Sequence, residues 1–241
     1  RTGKSTFIKR FMELAVLPAM EDESLKAVST DELPQSAGGK TVMTTEPKFI
    51  PKEAVQITLG DGIQAKVRLI DCVGYMVDGA AGPADTAGHV ENGEERMVKT
   101  PWSEKEIPFT QAAQIGTRKV IGDHSTIGIV VTTDGSVGEL KRSAYIDAEK
   151  QTVDELKKLG KPFILLLNST KPYSDETLKL AEQLAADYGV TVLPVSCEQL
   201  KKEDIFHILE SVLKEFPVTQ LDFHIPKWLE VDRHRKLEND V

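Results

Sequence analysis

Cysteine is scarce: Cys72 and Cys197 are the two among 241 residues, they show no C-x-x-C spacing, and the five histidines do not cluster with them. That speaks against a disulfide scaffold and a structural zinc site, and it fits a reducing, cytoplasmic compartment. Long apolar runs are also missing. The longest, Phe163 to Leu167, falls far short of the roughly 20 residues that a membrane-spanning helix needs. Basic tracts are absent and the net charge is −8, which argues against nucleic acid and an anionic membrane surface as direct partners. A signal peptide cannot be judged from this N-terminus. What remains is 40% hydrophobic, enough to bury a core, at a length that suits one α/β domain with a small extra piece.

The stretch Arg1-Thr2-Gly3-Lys4-Ser5-Thr6 reads as the back half of a phosphate-binding loop of the form G-x-x-x-x-G-K-[ST]. The first glycine of that pattern, and the strand before it, are expected ahead of Arg1. Glycine at position 3 lets the backbone approach an anion, and N–H groups at a helix start form a nest for phosphate oxygens. Lys4 then brings a positive charge to the β- and γ-phosphates, and the Ser5 hydroxyl is a Mg²⁺ ligand. Phe7, Ile8, Phe11, Leu14 and Ala15 recur at three and four residues, predicting an amphipathic helix that Pro18 stops. The triplet alone is weak, because chance supplies it in many chains. Its place at the mouth of a helix is what gives it weight.

Further on, Glu21 to Gly39 is acidic and rich in Ser, Pro and Gly, predicting a mobile loop. Ala54 to Leu59 and Ile63 to Ile70 flank Gly60-Asp61-Gly62, a hairpin signal. The second strand ends in Asp71-Cys72-Val73-Gly74, the form of a Walker B or D-x-x-G element. A long insertion follows, from Tyr75 to Ser125, helical from about Pro108 to Val120. Strands are then predicted at Ile127 to Thr133, Phe163 to Leu167 and Val190 to Val195, alternating with helices at Arg142 to Leu159, Ser174 to Tyr188 and Asp204 to Phe216. The alternation predicts an α/β fold, a P-loop NTPase three-layer sandwich with a mostly parallel sheet and one antiparallel hairpin strand. Ligands in such folds lie at the C-terminal strand ends, where Lys4, Asp71, Asp134 and Asn168 fall. Residues 1–217 form this domain. Residues 218–241 read as a linker and the beginning of a following, truncated domain.

Each site residue has a bland alternative. Asp71 is a surface carboxylate or a second-shell partner of Mg²⁺, and the company of Gly3-Lys4-Ser5 favours the metal. Thr44 and Thr45 are loop threonines, or the switch that senses γ-phosphate and completes the Mg²⁺ shell. Asn168 starts a turn or contacts the base. The histidines read as surface or core groups, and Cys72 as a small buried apolar residue. The resulting assignment is Lys4, Thr44, Thr45 and Asp71 for catalysis; Thr2, Gly3, Lys4, Ser5, Thr6, Gly74, Asn168, Lys171 and Ser196 for the nucleotide; and Ser5, Thr45 and Asp71 for Mg²⁺.

The order of these elements resembles the translation-factor class of P-loop GTPases. More closely, R-T-G-K-S-T-F-I-K-R-F-M-E, T-V-M-T-T-E-P-K-F-I-P, D-C-V-G-Y-M-V-D-G-A and T-P-W-S-E-K-E-I-P-F-T-Q-A-A are similar to the stage IV sporulation protein A family, morphogenetic ATPases of the spore coat. The resemblance spans essentially the whole chain. It implies ATP and Mg²⁺ as cofactors, and hydrolysis that drives self-assembly into a coat basement layer on the forespore surface, in the mother-cell cytosol. The partners it implies are further copies of the chain as a homopolymer, other spore coat morphogenetic proteins and a small amphipathic membrane-anchoring peptide.

Two departures from the GTPase pattern bear on mechanism. Where GTPases carry N-K-x-D this chain has Asn168-Ser169-Thr170-Lys171, which predicts ATP over GTP. Tyr75 follows the D-x-x-G glycine, where many GTPases place a water-orienting glutamine, which predicts slow intrinsic turnover. Competing functions are an assembly module that binds nucleotide without significant turnover, favoured by the missing glutamine, and a GTPase. A small-molecule kinase is disfavoured, since no acceptor pocket or arginine-bearing lid motif is evident.

Overall fold

The computed structural model describes residues 2–34, 47–58, 62–72, 74, 75, 77, 97–100 and 103–216. Helix α1 (Lys4–Phe11) buries Phe7, Ile8 and Phe11 and runs on through a π turn over Met12–Val16. Pro18 sits in the short 3₁₀ turn Leu17–Ala19, after which Met20 is extended, so the chain turns where proline predicts it. Strands β1 (Lys48–Thr58) and β2 (Gln64–Asp71) form an antiparallel hairpin, paired from Thr58↔Gln64 to Lys48↔Asp71 with a bulge between Ile50 and Val55.

The centre of the domain is a parallel sheet of β5 (Gly128–Thr133), β6 (Phe163–Asn168) and β7 (Val192–Val195), in the order β5-β6-β7. Every residue of β6 is buried, as expected for a strand covered on both faces. The period of two divides it. Ile164 and Leu166 face a core with Phe7, Phe11 and Met12 of the α1 region and Ile205, Ile208 and Val212 of α6 (Lys202–Lys214). Phe163, Leu165 and Leu167 face another, with Val153 and Leu156 of α4 (Ile146–Lys158) and Ala181 and Leu184 of α5 (Asp175–Tyr188). Helices on both sides of one sheet make the three-layer α/β sandwich.

The segment expected to be a loop contains a helix, α2 (Glu23–Asp31). Asp22 caps it, accepting from the Ser24 and Leu25 N–H groups at 2.8 and 3.1 Å. Leu25 and Val28 are exposed on it, so no buried apolar stripe marked it; the cap does the marking. A second antiparallel pair, β3 (Met97–Thr100) with β4 (Ser103–Pro108), lies within the stretch read as a long insertion and leads into α3 (Phe109–Lys119). The switch candidates Thr44 and Thr45, and the proposed linker over 218–241, lie outside the described residues.

Candidate functional site

Gly3 caps α1 in the left-handed region, with φ 99°, a conformation that glycine adopts without steric penalty. A Cβ at this position would stand 2.1 Å from Asn168 Nδ2, so packing as well as backbone requires glycine. The first bond of the helix runs from Phe7 N–H to Gly3 O at 2.8 Å. The N–H groups of Lys4, Ser5 and Thr6 precede it and have no helical acceptor. No side chain caps this end and no acid occupies its first turn, which leaves positive potential for an anion. Ser5 and Thr6 are half-buried there.

The C-terminal end of β2 meets the same point. Lys4 Nζ lies 2.9 Å from Asp71 Oδ1, with the two side chains 35% and 19% exposed. This is an ion pair and not an aligned hydrogen bond, since Asp71 Oδ1 is buried without a hydrogen-bond partner. A carboxylate oxygen so placed has lone pairs to spare for a cation. Among the described residues no group of three or more His, Cys, Asp and Glu is gathered. The oxygens of Asp71 and Ser5 are donors of the kind that Mg²⁺ takes, one or two from the protein with phosphate and water supplying the rest.

Asn168, 3% exposed, joins the segment before α1 to the sheet. Its Nδ2 donates to Thr2 O and its Oδ1 accepts from Cys197 N–H, both at 2.9 Å. A carbonyl at one end and an N–H at the other fix the amide's orientation. The thiol of Cys197 packs in the core behind Gly3, and burial pushes its pKa up to about 12. Ser196 directly follows β7, and its carbonyl accepts from Gln199 N–H at 3.1 Å.

Beyond Asn168 the loop is held by hydroxyls. Ser169 Oγ accepts from Lys171 N–H at 2.9 Å, and Ser136 Oγ accepts from Thr170 N–H at 2.9 Å while donating to Asp134 Oδ1 at 2.6 Å. Thr177 donates to Asp134 Oδ2 at 3.3 Å. Burial of Asp134 works against ionisation, but the hydrogen bonds from Ser136, Ser169 and Thr177 outweigh it and hold the carboxyl below its ordinary pKa. Lys171 itself is exposed.

Gly74, with φ 78°, donates its N–H to Thr117 Oγ1 of α3 at 3.2 Å. Beside it Tyr75 is buried near the bidentate pair of Arg118 with Glu155 (2.9 and 3.2 Å). Burial, then the Glu155 carboxylate, raise the Tyr75 pKa against the opposing pull of Arg118. Thr117, Arg118 and Glu155 were not among the sequence candidates. No spacing marks them, because the Gly74 contact spans 43 residues.

The structure thus brings Thr2, Gly3, Lys4, Asp71 and Asn168 together at the strand ends and ties Gly74 to α3 by a hydrogen bond. A three-layer α/β sheet whose strand ends meet a glycine-capped helix start defines the P-loop NTPase class. Within that class, residues 1–217 match the family model of stage IV sporulation protein A, ATPase domain. Stage IV sporulation protein A of Bacillus anthracis and that of Bacillus subtilis strain 168 are each 52% identical over 231 residues, 96% of this chain and 46% of theirs. The protein of that name from Clostridioides difficile strain 630 is 47% identical over 242 residues, 100% of this chain and 48% of its own. The chain belongs to this family of sporulation proteins and spans about half the length of these relatives. No helix among the described residues is long and apolar enough to cross a membrane.

Proposed function

We propose that the chain is an ATP hydrolase domain whose output is a change of shape and assembly state, not a released metabolite. The observation that carries this is the meeting of Lys4 Nζ with Asp71 Oδ1 at 2.9 Å, at the glycine-capped start of α1. Lys4 is a cation at the place where a triphosphate's anionic end docks, and the first-turn N–H groups of Lys4, Ser5 and Thr6 cradle the same oxygens. Ser5 and Asp71 would hold a Mg²⁺ ion, which supplies charge neutralisation at the phosphoryl group. Asp71, paired with the Lys4 ammonium here, would be available to the metal or its water, and Lys4 would be available to the phosphate. Asn168 keeps the phosphate loop in register with the sheet. Thr44 and Thr45 would sense the γ-phosphate.

In this reading the sporulation protein polymerises into a coat basement layer on the forespore surface, facing the mother-cell cytosol. Other spore coat morphogenetic proteins and a small amphipathic membrane-anchoring peptide join it there. Single-turnover hydrolysis of ATP and GTP by the whole chain, with Lys4→Ala as control, tests the enzymatic core. Loss of the phosphate-binding cation should lower turnover on the order of 100-fold or more. Equal turnover in the variant would place the chemistry elsewhere. A second reading, nucleotide binding without turnover, is favoured by buried Tyr75, which offers no carboxamide to orient water. Tight ATP binding by the wild type with no single-turnover product would establish it.

A further inference from the structure

The Gly74 amide has a partner in this structure that the proposed reaction would need to displace. Asp71 and Lys4 are in contact, and three residues span at most about 10 Å of chain. Gly74 is therefore no more than about 10 Å of chain from the carboxylate that Lys4 contacts. Among the described residues, its chain neighbours aside, no heavy atom lies within 4 Å of where a Cβ would stand on Gly74, and a bare backbone of this kind admits an anion. Yet its N–H is spent on Thr117 Oγ1 at 3.2 Å, and Thr117 is 3% exposed. One N–H makes one strong bond.

We propose that Thr117 is a positioning residue for the terminal phosphate: the Gly74 N–H exchanges between the Thr117 hydroxyl and a terminal oxygen of a nucleoside triphosphate. This deepens the reading of the site as a nucleotide site and rests on it. A diphosphate lacks the oxygen that would compete, so it leaves the Gly74–Thr117 bond intact. A triphosphate removes it, and the buried hydroxyl loses its donor. Thr117 thereby sets how strongly the site distinguishes the two nucleotides. It also delivers the difference to α3, whose next residue, Arg118, is clamped to Glu155 of α4. The hydrogen bond thus links the D-x-x-G segment to the far face of the sheet.

The test is equilibrium binding of ADP and of a non-hydrolysable ATP analogue to the whole chain, as wild type, Thr117→Val and Thr117→Ser. Valine keeps the shape and removes the acceptor, so the analogue no longer breaks a bond. The analogue-to-ADP affinity ratio should rise roughly fivefold, with ADP affinity nearly unchanged, and serine should restore the wild-type ratio. A ratio unmoved in Thr117→Val, or moved equally by serine, overturns the proposal. Should valine prevent folding, the Gly74 amide resonance of the wild type decides. The analogue should shift it and ADP should not; equal responses overturn the proposal. If wild type binds neither nucleotide, the site reading itself fails and takes this inference with it, an outcome distinct from an unchanged ratio.

Discussion

Lys171 stands where a guanine-reading pattern has aspartate, and its side chain is exposed while its N–H is fixed on Ser169 Oγ at 2.9 Å. An aspartate there accepts from the two guanine donors; a lysine has donors only, so guanine groups are left unpaired. Wild type should favour ATP over GTP by roughly tenfold in kcat/KM, the low end of leaving a polar group unsatisfied. The structure also shapes the test. Ser169 is 1% exposed and hydrogen-bonded, so rebuilding N-K-x-D through Ser169→Lys would drive a long cation into the core. Lys171→Asp alone is the clean variant, and competition between the two nucleotides is the measurement. A variant that does not move toward GTP would show that this loop does not read the base. At this scale the sequence discloses residues whose chemistry is fixed by type and order, such as Gly3, Lys4 and Asp71. It conceals Thr117, because a lone threonine on a helix acquires meaning only from the amide it meets.

Elements were legible where apolar period and caps agree. Strand β6 and helix α5, which runs from the Ser174 cap to Gly189 in the left-handed region, fall close to the predicted bounds. Helix α2 was not, because its apolar residues face outward and only Asp22 announces it. Nor could periodicity show what fastens α4 to β5. Arg142 donates to both oxygens of Glu149 at 2.6 Å and to Thr132 Oγ1 at 2.9 Å, and Tyr188 donates to Glu149 at 2.8 Å, with Glu149 5% exposed. Removing one member strands the other: Arg142→Ala should destabilise the chain by about 3–5 kcal/mol in urea unfolding, because it leaves a buried carboxylate unpaired. An apolar pair, Arg142→Met with Glu149→Leu, should lose much less, since neither charge is then desolvated. If the single variant is no worse than the double, the pair lies in effect at the surface.

At the scale of the whole molecule, the core that holds Ile164 and Leu166 reaches the site at Cys197, whose side chain is packed beside Gly3 and whose N–H ties to Asn168. The fold holds that thiol neutral by burial, with its pKa raised from 9.0 to about 12. A group whose folded pKa is raised contributes stability that is fully present below its unfolded pKa and is lost as pH climbs toward the folded value. Cys197 should therefore erode stability between about pH 9 and 12, at no more than about 1.4 kcal/mol per pH unit. Tyr75 and Tyr188, both raised chiefly by burial, add to alkaline sensitivity in the same direction. Cys197→Ala separates the contributions. The variant should be modestly less stable at pH 7, where it has only lost packing, and the gap to wild type in thermal melts should narrow steadily above pH 9 because alanine has nothing to ionise. The same loosening acts on the strand end that anchors Asn168, so nucleotide affinity should fall with pH in wild type more steeply than in the variant. Parallel loss of stability in both proteins across that range would mean that the thiol does not titrate against the fold.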